Sequence, residues 1–235
     1  MPAKLNKRPM FVSVMSEERR HTELVQPLQS STTVAEALER MDEMRLAHLP
    51  FVDEQGMYRA LIKEDDLYNA EDDSATIDAV FNAGFAPAVM LGTHAFDMLE
   101  QCAHYRISVV PVIDEQGKYV KSVIWSDLIE YFRDSVTLKQ GGAIVVARIE
   151  ARQYSVLEIA GSAEHNDARI LGLWLAPAPT PDELEVTIKL NVQHTSPIVQ
   201  SMQRYGYEVI AIYGDKTFHE DYQERYDHLM NYLKY

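Results

Sequence analysis

The sequence predicts a mixed α+β chain: a strand-helix-hairpin-helix unit (β-α-β-β-α) built twice in tandem, then a βαββαβ domain and a C-terminal helix. Three observations carry this. Asp53-Glu54-Gln55-Gly56 returns as Asp114-Glu115-Gln116-Gly117, and the same shift pairs Leu38 with Leu99, Arg45 with Arg106, Pro50 with Pro111, Tyr58 with Tyr119 and Asp66 with Asp127, without a gap. Within each copy the apolar residues switch between helical and strand spacing. Further on, Leu184, Val186, Ile188, Leu190 and Val192 alternate strictly with Glu185, Thr187, Lys189 and Asn191.

Residues 1–26 read as an arm with net charge +2 and no pattern to which a function attaches. The first copy, 27–85, opens on a strand through Leu28. A helix follows with Val34, Leu38 and Met41 at i, i+4, i+7, then strands Leu49 to Val52 and Tyr58 to Ile62 about a Gly-containing turn, and a helix opening on Glu64-Asp65-Asp66. The second copy, 86–138, repeats the plan with Val89, then Ala95, Leu99 and Cys102, then strands Val109 to Ile113 and Tyr119 to Ile124. Cys102 stands where the first copy has Met41, which makes it a core residue rather than a nucleophile. A unit of about 60 residues is marginal alone, so the two copies are expected to pack face to face.

Lys139-Gln140-Gly141-Gly142 breaks the pattern. The domain that follows, 143–214, reads strand (Ala143 to Ile149), helix (Tyr154 to Glu164), strand (Arg169 to Leu175), Pro-rich turn, strand (Leu184 to Val192), helix (Ser196 to Tyr205) and strand (Glu208 to Tyr213). This is the ferredoxin-like plan. The polar face of its third strand offers no aromatics on which bases would stack, which argues against RNA binding. Over 215–235, Phe218, Tyr222, Tyr226, Leu229, Met230 and Leu233 recur at helical spacing. An amphipathic helix of about 15 residues is marginal in water, so this one is expected to dock on its own chain or at a subunit interface.

Of 235 residues, 46% are hydrophobic and 25% charged, which excludes wholesale disorder. The net charge is −14, with −12 of it in residues 27–138, and so much acid disfavours nucleic acid and anionic lipid as partners. One cysteine permits neither an intramolecular disulfide nor a thiolate cluster, which fits a cytoplasmic setting. No run approaches the roughly 18 to 20 apolar residues of a membrane span. The eight histidines show neither HxxEH nor HExxH spacing, and GxSxG, Walker A and GxGxxG are absent. The expectation is a protein with no metal site and no catalysis.

Thr33-Val34-Ala35-Glu36-Ala37-Leu38, His48-Leu49-Pro50-Phe51-Val52-Asp53, Val109-Val110-Pro111-Val112-Ile113-Asp114 and the stretch from Tyr119 to Leu128 together resemble the tandem CBS-domain pair, or Bateman module, over roughly residues 27–135. The resemblance implies a regulatory sensor with clefts for an adenosine-containing ligand (AMP, ATP, S-adenosylmethionine or NAD). It places Asp66 and Asp127 where a carboxylate accepts ribose hydroxyls. Three residues earlier the family carries Ser or Thr; this chain has Lys63 and Ile124. The small residue of the same motif, usually Gly, is Ala60 in one copy and Lys121 in the other. Lys63 can meet a phosphate as a point charge and Ile124 offers nothing polar, so the first site is the stronger. Leu28, Val89, His48 and Ser108 follow from the same resemblance as cleft-lining residues. Helix capping alone would also account for the two aspartates.

The βαββαβ run resembles an ACT-like domain, a plan that senses amino acids or associates subunits. The Pro-Gly turn common after its first strand is replaced by Ala151-Arg152-Gln153-Tyr154. The whole resembles a bacterial regulatory protein of the acetoin-utilisation type. The expectation is a non-catalytic homodimeric sensor of an adenosyl nucleotide. The alternatives are a dimerisation scaffold with degenerate CBS sites, or amino-acid sensing through the ACT-like domain.

Overall fold

Thr33 starts the first helix with a reciprocal capping box: its Oγ1 accepts from the Glu36 N–H at 3.2 Å, and Glu36 Oε2 accepts from the Thr33 N–H at 3.0 Å. The computed structural model describes residues 25–81 and 84–215, which fall into two compact units divided between Tyr131 and Phe132. The architecture is mixed α+β. The expected arm over 1–26 and helix over 215–235 lie outside the described residues except for Val25, Gln26 and Asp215.

In the first unit, α1 (Val34–Met44) ends at Arg45 in the left-handed region, φ 52°. Its counterpart α4 (Ala95–Tyr105) ends in the same way at Arg106, φ 54°, and starts at His94, whose Nδ1 accepts from the Phe96 N–H at 3.2 Å. The buried stripes are Val34, Ala37 and Met41 on α1 and Ala95, Met98 and Cys102 on α4. This corrects the expected stripe: Leu38 is half-buried and Leu99 is 37% exposed. At 3.6 residues per turn, i+3 lies as close to the i/i+7 line as i+4 does, and small Ala37 admits closer packing than Leu38. Cys102 is buried, and burial pushes its thiol pKa up, away from reactivity.

Hairpin β1 (His48–Val52) with β2 (Tyr58–Lys63) and hairpin β4 (Val109–Ile113) with β5 (Tyr119–Ile124) share one turn chemistry. Asp53 Oδ1 accepts from the Gln55 and Met57 N–H groups at 3.0 and 2.9 Å; Asp114 Oδ1 accepts from those of Gln116 and Lys118 at 3.0 and 2.8 Å. Gly56 and Gly117 close the turns at φ 78° and 82°, a conformation that costs any L side chain about 1–2 kcal/mol. Leu28 forms a parallel bridge to β1, and β3 (Val89–Met90) runs parallel to β4.

The two copies are tied together reciprocally. The Tyr58 N–H donates to Gly117 O and the Tyr119 N–H to Gly56 O, each at 3.1 Å. Tyr58 Oη donates to Pro87 O and Tyr119 Oη to Val25 O, each at 2.9 Å. Beneath these ties, Leu49, Phe51, Leu61, Val109, Val110, Val123 and Leu128 are buried, at about 1.5–3 kcal/mol for each large side chain. The helices after the hairpins differ: α2 (Glu64–Tyr68) has five residues and is followed by α3 (Ile77–Val80), whereas α5 (Trp125–Arg133) has nine.

The second unit opens with the single turn α6 (Val136–Lys139). Its elements are β6 (Ile144–Glu150), α7 (Val156–Glu164), β7 (Ile170–Pro177), β8 (Glu183–Leu190), α8 (Ser196–Arg204) and β9 (Glu208–Tyr213). The four strands pair in the order β7-β8-β6-β9, antiparallel throughout. Val145, Ala147, Val186, Ile188 and Leu190 face a core completed by Ile159 on α7 and Ile198 and Met202 on α8.

Local chemistry moves three expected boundaries here. Ser155 caps α7, its Oγ accepting from the Glu158 N–H at 3.3 Å, so the helix starts at Val156 and Ala151–Gln153 forms a 3₁₀ turn instead. The second strand extends through Pro177, which an edge strand tolerates because its outer side needs no N–H donor. The third strand stops at Leu190, where the Asn191 side chain turns to accept from the Arg169 N–H at 2.6 Å. The outer sheet face is also less polar than the third strand alone suggested. Register places Val146 and Trp174 on either side of Thr187, and Trp174, 47% exposed, projects from edge strand β7. No helix among the described residues is long and apolar enough to cross a membrane.

Candidate functional site

The strand-to-helix junction of the first copy sets the site. Lys63 closes β2 in an extended conformation, φ −98° and ψ 141°, and the chain then turns into α2. The turn is held by the Glu64 N–H donating to Ala47 O at 3.0 Å; the second copy repeats this tie between Trp125 and Ser108 at 3.2 Å. One turn of helix later comes Asp66. Lys63 and Asp66 both line a cavity of about 530 Å³ whose apolar side is formed by Leu61, Leu67, Ile77, Phe81 and Phe85. Pockets that hold small molecules typically measure about 300–1,000 Å³ and combine an apolar lining with a few polar groups.

Phe85 reaches the cavity because its carbonyl accepts from the Leu61 N–H at 3.0 Å, laying the segment alongside β2. The Lys63 ammonium sits 4.1 Å from the centre of the Phe85 ring, a cation–π contact that fixes where the charge is presented. Phe81 in turn packs on Phe51 of the core, ring centres 4.8 Å apart.

His48 stands opposite Lys63 across the β1–β2 ladder. Burial holds its pKa below 6.5, and the Lys63 charge lowers it further against the opposing pull of Asp65 and Asp66. Its Nδ1 accepts from the Ser108 N–H at 3.3 Å and lies 3.2 Å from Ser108 Oγ, which assigns the ring proton to Nε2. His48 and Ser108 therefore meet each other and join the first copy to the start of β4.

Of the residues singled out from the sequence, Lys63 and Asp66 come together on one cavity. His48 and Ser108 form a bond between the copies and are not among that cavity's lining. Leu28 is fully buried, its N–H given to Pro50 O and its carbonyl taken by the Val52 N–H, so it packs in the core instead of facing the cavity. Val89 is likewise buried, in β3, and Asp127 lies half-buried on α5 in the other copy. Phe81, Phe85, Ile77 and Asn69 of the cavity went unnoticed in the sequence. They lie beyond the repeated motif, and the backbone bond between Leu61 and Phe85 lays Phe85 against β2.

Residues 23–73 match the family model of the CBS domain. The matched stretch contains α1, β1, β2 and α2, with Lys63 and Asp66 near its end. Among solved structures, the chain is similar to a CBS domain pair/ACT domain protein from Thermotoga maritima, at 23% identity over 45% of this chain and 87% of the other, TM-score 0.40. It is also similar to CBSX2 in complex with AMP, at 17% identity over 48% and 89%, TM-score 0.41. A third similar structure is the cytosolic domain of the Mg2+ channel MgtE in complex with ATP, at 23% identity over 46% of each chain, TM-score 0.38.

Proposed function

We propose that the protein is a non-catalytic regulatory sensor that takes an adenosine-containing ligand into the cavity carrying Lys63 and Asp66. The observation that supports it most is the convergence of one ammonium and one carboxylate, both in the stretch that matches the CBS-domain model, on an apolar cavity of about 530 Å³. Asp66 accepts ribose hydroxyls, Lys63 meets a phosphate, and the apolar side formed by Leu61, Leu67, Ile77 and Phe81 receives the base. Because a ligand shifts an equilibrium only by its differential affinity for two arrangements, the signal is a changed packing around the cavity. The second unit serves as an ACT-like domain that associates two copies of the chain, and the assembly works in the cytoplasm.

The test is a thermal-shift panel of AMP, ATP, S-adenosylmethionine and NAD on protein stripped of nucleotide. A ligand at 100 times its Kd adds about 2.7 kcal/mol to stability. Asp66→Asn is expected to abolish that gain while Asp127→Asn leaves it. No stabilisation by any member overturns the reading. The reciprocal ties through Tyr58 and Tyr119 favour a second reading, in which the paired copies are a ligand-free scaffold; an adenosyl compound released from the denatured native protein would sink it.

A further inference from the structure

The charge around the cavity is more informative than its volume. Lys63 is the single base among its described lining residues, and its neighbours in the chain are Glu64, Asp65 and Asp66. Residues 27–81 hold thirteen acids and four bases. Of those bases, Arg59 lies 3.9 Å from Asp53, toward the hairpin turn at the other end of β2. His48, across the ladder from Lys63, is kept neutral at pH 7 by its burial and its bond to Ser108. Among the described residues the cavity lining therefore presents one positive charge, held on an aromatic ring, next to a run of acids.

We infer that this cavity selects adenosyl ligands carrying no more than one phosphate, such as AMP or S-adenosylmethionine, and discriminates against ATP and other polyphosphates. The inference rests on the sensor reading above. Lys63 can compensate one phosphate. Each additional phosphate adds negative charge that no further base among the described lining residues meets, and the acids of α2, with Asp65 and Asp66 exposed, repel it in a way that salt screens. A sulfonium carries positive charge into the same field and is favoured by it. Magnesium would mask the effect, since the metal neutralises the outer phosphates before the protein has to.

The experiment is calorimetric titration of the nucleotide-free full chain with AMP, S-adenosylmethionine, ADP, ATP and NAD in EDTA, at about 20 mM and about 500 mM salt. The expected order is AMP or S-adenosylmethionine tightest, with ATP weaker than AMP by about tenfold or more at low salt. The gap should shrink at high salt. Asp65→Asn, at an exposed position, should improve ATP binding several-fold and leave AMP nearly unchanged. Lys63→Met should reduce AMP affinity while sparing S-adenosylmethionine. ATP binding as tightly as AMP in EDTA overturns the charge inference and leaves the sensor reading standing. Failure of every adenosyl compound to bind overturns the sensor reading and the inference with it.

Discussion

The two copies of the repeated unit have nearly the same backbone devices and very different surfaces. Both helices end on an arginine in the left-handed region, both hairpins turn on an aspartate that collects two N–H groups, and both junctions are tied to the residue before the first hairpin strand. Yet the first copy is densely acidic and follows its hairpin with a five-residue helix beside a cavity. The second follows its hairpin with a nine-residue helix exposing Trp125 and Ile129, each 48% accessible, and holds Ile124 where the first holds Lys63. A few polar anchors are enough to specify the frame, which leaves the junction side chains free to diverge in chemistry.

The comparison breaks most visibly in the core. Met41 and Cys102 occupy equivalent buried positions, and Met41→Ala is expected to cost about 2–5 kcal/mol in denaturant unfolding. Cys102→Ala should cost much less, because only one sulfur is removed. Equal losses would mean that the copies are packed alike despite their side chains. The turns sharpen the opposite side of the argument. Gly56→Ala and Gly117→Ala should each cost about 1–2 kcal/mol and agree closely, since φ is the same and a Cβ would meet the other copy's side chain at 3.3 Å in both. A neutral result in either copy would show that its turn relaxes.

The smallest effect concerns His48, which has no histidine equivalent in the second copy. Its folded-state pKa lies below 6.5, so the unfolded chain binds the proton more readily, and stability falls as pH drops from 6.5 through the folded-state value. Protonation also removes the lone pair that accepts from Ser108. His48→Asn should flatten the stability profile over that window, as followed by urea midpoints between pH 5 and pH 8. An unchanged slope would assign it to other groups.

Much of the frame was legible because it is written in short-range chemistry. The Asp-Glu-Gln-Gly turns and the alternation of β8 are both local patterns. The helix stripes were misread by one position because Ala37 buries as completely as any larger residue and carries little weight in a hydrophobic pattern. At the site, Lys63 and Asp66 could be singled out because the resemblance to the CBS-domain pair assigns a role to their positions. The aromatic side of the cavity could not, because Phe85 arrives through a backbone bond to Leu61 that no local pattern announces. The pairing of His48 with Ser108 likewise depends on how the copies meet.

The reciprocal ties through Tyr58 and Tyr119 have one further consequence. Contacts in which residue i of one half touches j of the other, and j touches i, are those of an isologous dimer. In such a dimer every substitution is made twice, so a lysine at the junction would appear on both sides of the axis and an isoleucine on both. Joining the halves in one polypeptide lifts that constraint: an ionic residue can be kept on one side while its counterpart becomes greasy, at no expense to the shared scaffold.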